Sequence, residues 1–206
     1  MALFITHGFF ASLFSFLWRD KKTKFSVLLL ILLASIIPDI DFIFDDRNSG
    51  MFYHRGITHS IFFSAAIGVL FSAFFMSSFK SFGQTLLLMF IFFLAGLSHS
   101  ALDLLTDAPN GVCLLCPFSE EKYSSPFTLF HSYTAGIAPK GFRKGVNSAW
   151  SSMIPEIFFV WIPTLFVFFF SAYLVNKTTP VKKQTTYKPV QIKPKETKKT
   201  NYPKKK

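Results

Sequence analysis

Cysteine is scarce in this chain, whose 206 residues include two. That number excludes a disulfide-dense scaffold and a zinc module built from four cysteines. The sequence also has no internal repeats, no glycine-rich phosphate loop and no GxSxG nucleophile elbow. Acidic side chains are few, with 11 Asp and Glu against 22 Lys and Arg. The usual motifs of soluble enzymes therefore do not explain this protein.

The excess of positive charge belongs to a C-terminal tail, residues 176–206. This tail holds 11 of the 22 basic residues and one acidic residue, whereas the preceding 175 residues are balanced to within one charge. The tail is rich in Lys, Thr and Pro and has almost nothing to bury, so we expect it to be disordered. We interpret it as a topology anchor that also touches anionic lipid, and we expect no nucleic-acid partner.

Long apolar runs are what the chain has in abundance, since 50% of its residues are hydrophobic and 29 are Phe. Five runs occur, at 2–18, 25–44, 57–79, 85–105 and 153–175. The last four are long enough to cross a bilayer core of about 30 Å. The first can span or lie in the interface, and it is unlike a signal peptide because no basic residue precedes it. The sequence predicts an all-α, polytopic membrane bundle of about four to five transmembrane helices, formed by residues 1–175.

The basic residues also predict an orientation for this bundle. With five spans, one side receives sixteen Lys and Arg, including those of the tail, and the other side receives six. Because positively charged loops stay in the cytoplasm, we expect a cytoplasmic tail and an N-terminus outside. The loop-rich segment 106–152 would then be extracytoplasmic.

Ionisable side chains near the ends of the apolar runs are costly to bury and need an explanation. In the orientation above, eight histidine and carboxylate candidates all fall in the outer leaflet, although that orientation rests on Lys and Arg alone. The candidates are His7, Asp39, Asp41, His54, His59, His99, Asp103 and Glu156. Scattered structural residues would have fallen on both sides, so the pattern indicates one polar site.

The spacing of these residues suits metal ligands. His99 and Asp103 are four residues apart and share one helix face. Pro38 disturbs the end of the second run, so that Asp39 and Asp41 need not diverge. Imidazole nitrogens and carboxylate oxygens are common ligands of zinc and related divalent metals.

The motif His54-Arg55-Gly56-Ile57-Thr58-His59 adds two histidines and a cation to this set. Gly56 permits a tight backbone approach between the histidines. The Arg55 guanidinium is suited to a phosphate or carboxylate oxygen of a substrate, and Arg143 is a second candidate for that role.

Some of the candidates also have structural explanations when taken singly. His7 fits a buried or snorkelling histidine, and Asp39 could cap a helix or pair with Arg47. Glu156 could complement the dipole at a helix N-terminus. His131 we interpret as a loop residue.

Cys113 and Cys116 form a CxxC pattern in an apolar window. They could close a small disulfide or act as a redox pair. Because no second CxxC is present, we favour a structural role in which both cysteines are buried as apolar side chains.

Several of these motifs together resemble the YdjM-like family, LexA-regulated inner-membrane proteins described as metal-dependent hydrolases. The resemblance covers about residues 1–175 and excludes the tail. The motifs that carry it are His7, PDID at 38–41, HRGITHS at 54–60, SHSALD at 98–103, Thr106, Gly111 and PFS at 117–119. It implies a multi-pass protein of the bacterial inner membrane that contains a metal site.

A fainter likeness exists to the zinc-dependent phospholipase C and single-strand nuclease superfamily, in which His99 and Asp103 would match an H-x-x-x-D ligand pair. The later H-x-x-x-E of that superfamily is missing here. The likeness therefore implies one or two metal ions rather than three.

The sequence favours a metal-dependent hydrolase whose site opens to the outer face. We expect a divalent metal, zinc first, bound by ligands drawn from His7, Asp41, His54, His59, His99 and Asp103. Asp39 or Glu156 would be the general base, and Arg55 would bind the substrate. A site at the lipid–water boundary suggests an amphiphilic, anionic substrate such as a lipid phosphoester. The alternatives are a divalent-metal carrier without hydrolytic activity and a recruiting protein that acts through its tail.

Overall fold

The computed structural model of the chain describes residues 4–43, 53–77, 81–108, 110–129 and 153–178. Throughout these ranges the regular structure is helical, with one isolated β-bridge between Val112 and Tyr123. The all-α prediction is confirmed. Each apolar run of the sequence contains a helix. The helices are α1 (Phe4–Ala11), α2 (Lys24–Ile36), α3 (Ile61–Ala73), α4 (Phe82–Leu104) and α5 (Ile162–Thr178).

Tighter or wider helical turns extend several of these helices. A 3-10 segment, Ser12–Leu17, continues α1, and another, Ile37–Ile43, continues α2 through the Pro38 motif. A short 3-10 turn, Ile57–His59, precedes α3. The π-helical segment Ile157–Trp161 leads directly into α5. Both 3-10 and π turns often mark functional sites within helices, and three of these four segments contain or adjoin a predicted site residue.

Helix α4 is the central element, because α1, α2 and α3 all pack against it. Its buried residues Leu88, Ile91 and Phe92 form the core together with apolar side chains of the other three helices. Glycine allows α3 to approach α4 closely, since a Cβ atom on Gly68 would lie 2.6 Å from the Met89 carbonyl oxygen. Small residues at such crossings are typical of membrane helix pairs.

Within the described ranges, two helices are long and apolar enough to cross a membrane, Phe82–Leu104 and Met153–Leu174. They match the fourth and fifth predicted spans. The second of them is only 11% buried over its apolar window, and it exposes Phe166 and Phe169 among other aromatic side chains. A contiguous apolar surface of this kind requires a partner or a lipid phase. Helices Phe4–Leu17 and Ile61–Ala73 are apolar but shorter.

The turn between the first two runs lies outside the apolar segments. The Thr23 hydroxyl donates to Asp20 across 2.7 Å and accepts from the Trp18 indole across 2.9 Å. This hydroxyl holds the pKa of the exposed Asp20 carboxyl below its ordinary value. The indole therefore anchors the turn that begins α2.

The loop that follows α4 is an ordered cap on the start of α3. Cys113 donates its backbone N–H to the Arg55 carbonyl across 3.0 Å, and Leu114 accepts from Ile61 across 3.0 Å. Lys122 places its ammonium 4.0 Å from the centroid of the Tyr53 ring. Partial burial, together with the charge of Glu120, raises the pKa of the Tyr53 phenol.

Cys113 and Cys116 are joined by a disulfide bond, and both are fully buried. The prediction that the two cysteines are unpaired, buried apolar side chains was therefore wrong about the pairing, although both side chains are buried. Two cysteines three residues apart can close a small disulfide loop. The apolar residues around them made a role as buried apolar side chains the preferred interpretation of the sequence. Within the 106–152 segment, residue 109 and residues 130–152, with His131 and Arg143 among them, lie outside the described residues, as does most of the basic tail.

Candidate metal centre

Three separate segments bring predicted polar residues to one end of the bundle. The last turns of α4 supply His99 and Asp103, and the 3-10 segment after α2 supplies Asp39. His59 ends the 3-10 turn before α3. It is fixed there because the next residue, Ser60, caps α3 by accepting from the Phe63 N–H across 3.1 Å.

Asp39, His59, His99 and Asp103 form what we call the four-residue cluster. One ligand atom from each of them lies within 4.8 Å of all the others. All four side chains are buried, and His59 and His99 are fully so. Because these residues come from three segments far apart in sequence, the convergence is a property of the tertiary fold.

The distances within the cluster fit a tetrahedral ion. The His59 Nε2 atom lies 3.1 Å from His99 Nε2, 3.6 Å from Asp39 Oδ1 and 3.5 Å from Asp103 Oδ2. The separation of His99 Nε2 from Asp39 Oδ1 is 3.3 Å. Ligands about 2 Å from a tetrahedral zinc ion are themselves about 3.3 Å apart. These four separations are therefore close to those between ligands of one tetrahedral ion.

The Nδ1 atom of each cluster histidine, which faces away from the other three residues, already has a polar partner. His99 Nδ1 lies 2.7 Å from the Ser35 backbone oxygen, and His59 Nδ1 lies 3.1 Å from Asp41 Oδ2. A carbonyl and an ionised carboxylate only accept, so both contacts place a proton on Nδ1. In the neutral imidazoles this leaves both Nε2 lone pairs facing the cluster, which is the usual arrangement for metal-binding histidines.

Asp41 lies behind His59 and outside the four-residue cluster. Its carboxylate accepts from the backbone N–H of Arg55 across 3.1 Å and from the Thr58 hydroxyl. Those two hydrogen bonds are to Oδ2, whereas Oδ1 of Asp41 lies 2.8 Å from His54 Nδ1. Asp41, His54 and His59 also place donor atoms within 4.8 Å of one another. These contacts make Asp41 the residue that orients His59, with His54 on the far side.

His7 lies against the cluster. Its ring stacks on His99 with centroids 3.9 Å apart, and its Nε2 is 3.7 Å from Asp103 Oδ1. Neither His7 nitrogen has a hydrogen-bond partner among the residues the structure describes, and the same holds for both Asp39 oxygens. Buried polar atoms without partners are costly, so these atoms fit a site that takes a polar ligand.

Arg55 points inward instead of towards solvent. Its Nε lies 3.2 Å from Asp103 Oδ2, and its Nη2 donates to Thr106 across 3.0 Å. The residue is 3% exposed and adopts φ 70°, a left-handed conformation that non-glycine residues rarely take. The Asp41 and Cys113 hydrogen bonds hold the backbone in that conformation. Arg55 thus positions Asp103 directly.

Among the residues that the structure describes, the charges at this end of the bundle do not balance. Asp39, Asp41 and Asp103 are buried carboxylates, and Arg55 is the cation that pairs with one of them. With neutral histidines, two negative charges remain in a water-poor site, which is unfavourable unless a cation compensates them. A divalent metal ion bound here would supply that charge.

Glu156 is fully buried but lies apart from the two ligand groups described above. It accepts a hydrogen bond from the Thr6 hydroxyl, which in turn accepts from the Trp161 indole across 2.9 Å. Thr6 directly precedes His7 in α1, so Glu156 is linked to the α1 residue that stacks on the cluster.

Sequence reasoning missed several residues of the site. Thr58 and Thr106 lie within the motifs that were recognised, but a hydroxyl that orients a carboxylate or an arginine has no spacing rule of its own. Ser35 contributes only its backbone oxygen to His99, and no side-chain pattern could have revealed that contact. Thr6 was hidden in an apolar run.

Comparison with known proteins gives a family match over most of the chain. The family model described as YdjM inner membrane protein matches residues 1–178. Inner membrane protein YbcI of Escherichia coli (strain K12) is 28% identical over 137 residues, covering 64% of this chain and 75% of that protein. No solved structure matches. All the residues of the four-residue cluster fall within the matched range.

Proposed function

This chain belongs to the YdjM family of inner membrane proteins, and on that premise we propose that it is a membrane-bound, metal-dependent hydrolase. The observation that carries the proposal is the four-residue cluster, in which two imidazole Nε2 atoms and two carboxylates lie within 4.8 Å of one another. Four of their separations, 3.1 to 3.6 Å, are near those of tetrahedral ligands. Two nitrogen and two oxygen donors suit zinc, which we take as the resident ion.

The proposed chemistry is hydrolysis of a bond to an anionic group. A divalent ion supplies Lewis-acid polarisation of that bond and makes a nearby water more acidic. Asp39, His59, His99 and Asp103 would hold the ion, Asp41 would orient His59, and Arg55 would orient Asp103. His7, whose nitrogens have no hydrogen-bond partner among the described residues, faces the same space.

The general base is assigned to Glu156, because Asp39, the other carboxylate that the sequence offered for this role, is one of the four residues that would hold the ion. Asp39 lies 3.3 Å from His99 Nε2, so Asp39→Asn should lower both the metal content and the activity. Glu156 is tied to Thr6 outside the cluster, so Glu156→Gln should retain metal and lower turnover by about a hundredfold or more. Equal loss of metal in both variants would exclude Glu156 as the base.

We further propose a multi-pass topology of four or five spans with the site at the outer face and the tail in the cytoplasm. Two arguments support it. The ligands come from the end of α2, the start of α3 and the end of α4, which must share one side if the chain crosses repeatedly. The Cys113–Cys116 disulfide lies on that side, and disulfides persist in the oxidising periplasm.

The test is elemental analysis of the purified protein, with His99→Ala as the variant and His54→Ala as its matched control. We expect about one zinc ion per chain in the wild type and in His54→Ala, and loss of zinc in His99→Ala. The same preparations should release product from phospholipids or lipid pyrophosphates only when zinc is bound. Zinc retained by His99→Ala would refute the site. Vesicles that accumulate metal without any turnover would replace the hydrolase with a divalent-metal carrier.

A further inference from the structure

A cavity of about 280 Å³ lies between α1, α4 and α5. Its walls are almost entirely apolar, with Phe10, Leu102, Leu105 and Val160 among the lining residues. Two hydroxyl residues, Ser98 and Thr164, line the wall, and the Ser98 hydroxyl already donates to the Ala95 carbonyl across 2.8 Å. A polar ligand would lose its hydration here without compensation, so the cavity suits a hydrocarbon.

The cavity runs from the surface into the interior of the bundle. Phe159 and Val167 in its wall are 58% and 44% exposed, whereas Leu102 and Val160 are 6% and 4% exposed. The exposed wall belongs to the apolar helix Met153–Leu174, one of the two candidate membrane spans. The cavity is therefore continuous with the surface that faces lipid.

The cavity and the four-residue cluster share helix α4, and His7 beside the cluster shares α1 with the cavity wall. Leu102 and Ser98 immediately precede Asp103 and His99 in α4. On α1, Phe10 lies three residues after His7 and so occupies the same side of that helix. The last turns of α4 thus form both the cavity wall and part of the cluster.

We propose that this cavity binds one acyl chain of a lipid whose phosphoester headgroup lies at the four-residue cluster. The position of the headgroup rests on the proposed function, whereas the binding of the acyl chain rests on the cavity alone. An acyl chain is the hydrocarbon that a bilayer supplies at high concentration, and it would enter from the lipid-exposed side. Burial of its methylene groups stabilises the complex. A chain held in the cavity would position the attached headgroup at the cluster.

Ala101→Phe is the variant that tests the cavity without removing a ligand. Ala101 is exposed and lines the cavity, so a larger side chain there can fill the space without disturbing the core. Ala65→Phe is its matched control, because Ala65 is exposed on α3, which does not line the cavity.

The experiment uses vesicles that contain the full chain and a trace of phosphatidylglycerol with a diazirine in one acyl chain. After irradiation, mass spectrometry maps the labelled residues. We expect labelling of the buried Val160 and Leu102 in the wild type and in Ala65→Phe, and loss of that labelling in Ala101→Phe. Labelling of the exposed Phe166 and Phe169 should persist in all three proteins as ordinary lipid contact.

Labelling confined to exposed residues in the wild type would overturn the inference. So would undiminished labelling of Val160 in Ala101→Phe. The readout needs neither metal nor turnover, so the experiment is repeated after chelation. In the untreated protein, absence of bound zinc and of activity together with intact labelling would refute the proposed hydrolase and leave the acyl site standing.

Discussion

His59 and His99 are 40 residues apart in sequence, and their Nε2 atoms lie 3.1 Å from each other. The Nδ1 atom of His99 faces a backbone oxygen, and that of His59 faces the Asp41 carboxylate. In the neutral rings two lone pairs therefore point at each other. Such a pair repels unless a cation or a shared proton lies between the rings, and the nearby Asp39 and Asp103 carboxylates favour a cation.

Removing the metal should therefore destabilise the protein. We expect a chelator to lower the thermal unfolding midpoint in detergent, because an ion present at about a hundred times its Kd stabilises the folded state by about 2.7 kcal/mol. His99→Ala, which lacks one donor, should unfold at the same temperature with and without chelator. An unchanged wild-type midpoint after verified zinc removal would contradict this coupling.

Asp41→Asn should weaken metal binding without abolishing it. The amide keeps the shape of the side chain but orients the His59 Nδ1–H less firmly, and loss of such an outer partner lowers metal affinity by about 10- to 100-fold. Competition with a zinc chelator of known affinity measures the change. Asp20→Asn, in the exposed turn before α2, is the control and should bind zinc like the wild type. An affinity equal to wild type in Asp41→Asn would show that Asp41 does not orient His59.

Arg55→Met should destabilise the fold strongly. The substitution leaves the buried Asp103 carboxylate without its guanidinium, and breaking a buried ion pair costs about 3 to 5 kcal/mol. Arg19→Met, at an exposed position, should change stability by no more than about 0.5 kcal/mol. Thermal unfolding of the two variants side by side provides the comparison. Similar midpoints for both would mean that the pairing with Asp103 contributes little.

Gly68→Ala should separate α3 from α4. Its new Cβ would lie 2.6 Å from the Met89 carbonyl oxygen, a backbone atom that cannot move independently. We expect a loss of about 1 to 3 kcal/mol, the scale of overpacking in a core. In Gly83→Ala the nearest atom would be 3.7 Å away, so that variant should be neutral or more stable, since Ala favours the helix by about 1 kcal/mol. Unfolding midpoints in the reverse order would refute the close crossing.

Labelling of introduced cysteines tests the proposed orientation. In a background that lacks Cys113 and Cys116, Ser49→Cys should react with an impermeant reagent added outside intact cells, and Thr185→Cys should not. Both positions lie outside the described residues. The native pair should be alkylated only after reduction, because it forms a disulfide. The opposite labelling pattern would place the cluster at the cytoplasmic face.

The local parts of the site were predictable because helix geometry is a short-range rule. A separation of four residues places His99 and Asp103 on one face of α4 whatever surrounds that helix. The apolar runs likewise predicted a helix in each, since their composition leaves the backbone no other way to satisfy its hydrogen bonds in lipid. The lengths differ, however, because Ser60 caps α3 after His59 and begins that helix later than its apolar run.

The contacts between segments were decided by packing alone. Asp39 and Asp41 are two residues apart and chemically identical, yet one faces the Nε2 side of His59 and the other its Nδ1 side. Arg55, expected to reach a substrate, turns inward to Asp103 because its backbone is held at φ 70°.

By itself the sequence determined the helical class, the apolar runs and the residues that could bind a metal, because each depends on composition or on spacing within one helix. The tertiary structure decided which donors meet, which nitrogen of each histidine faces them, and that Cys113 and Cys116 pair. Those outcomes depend on how segments far apart in the chain pack against α4, and no local pattern encodes the distance between them.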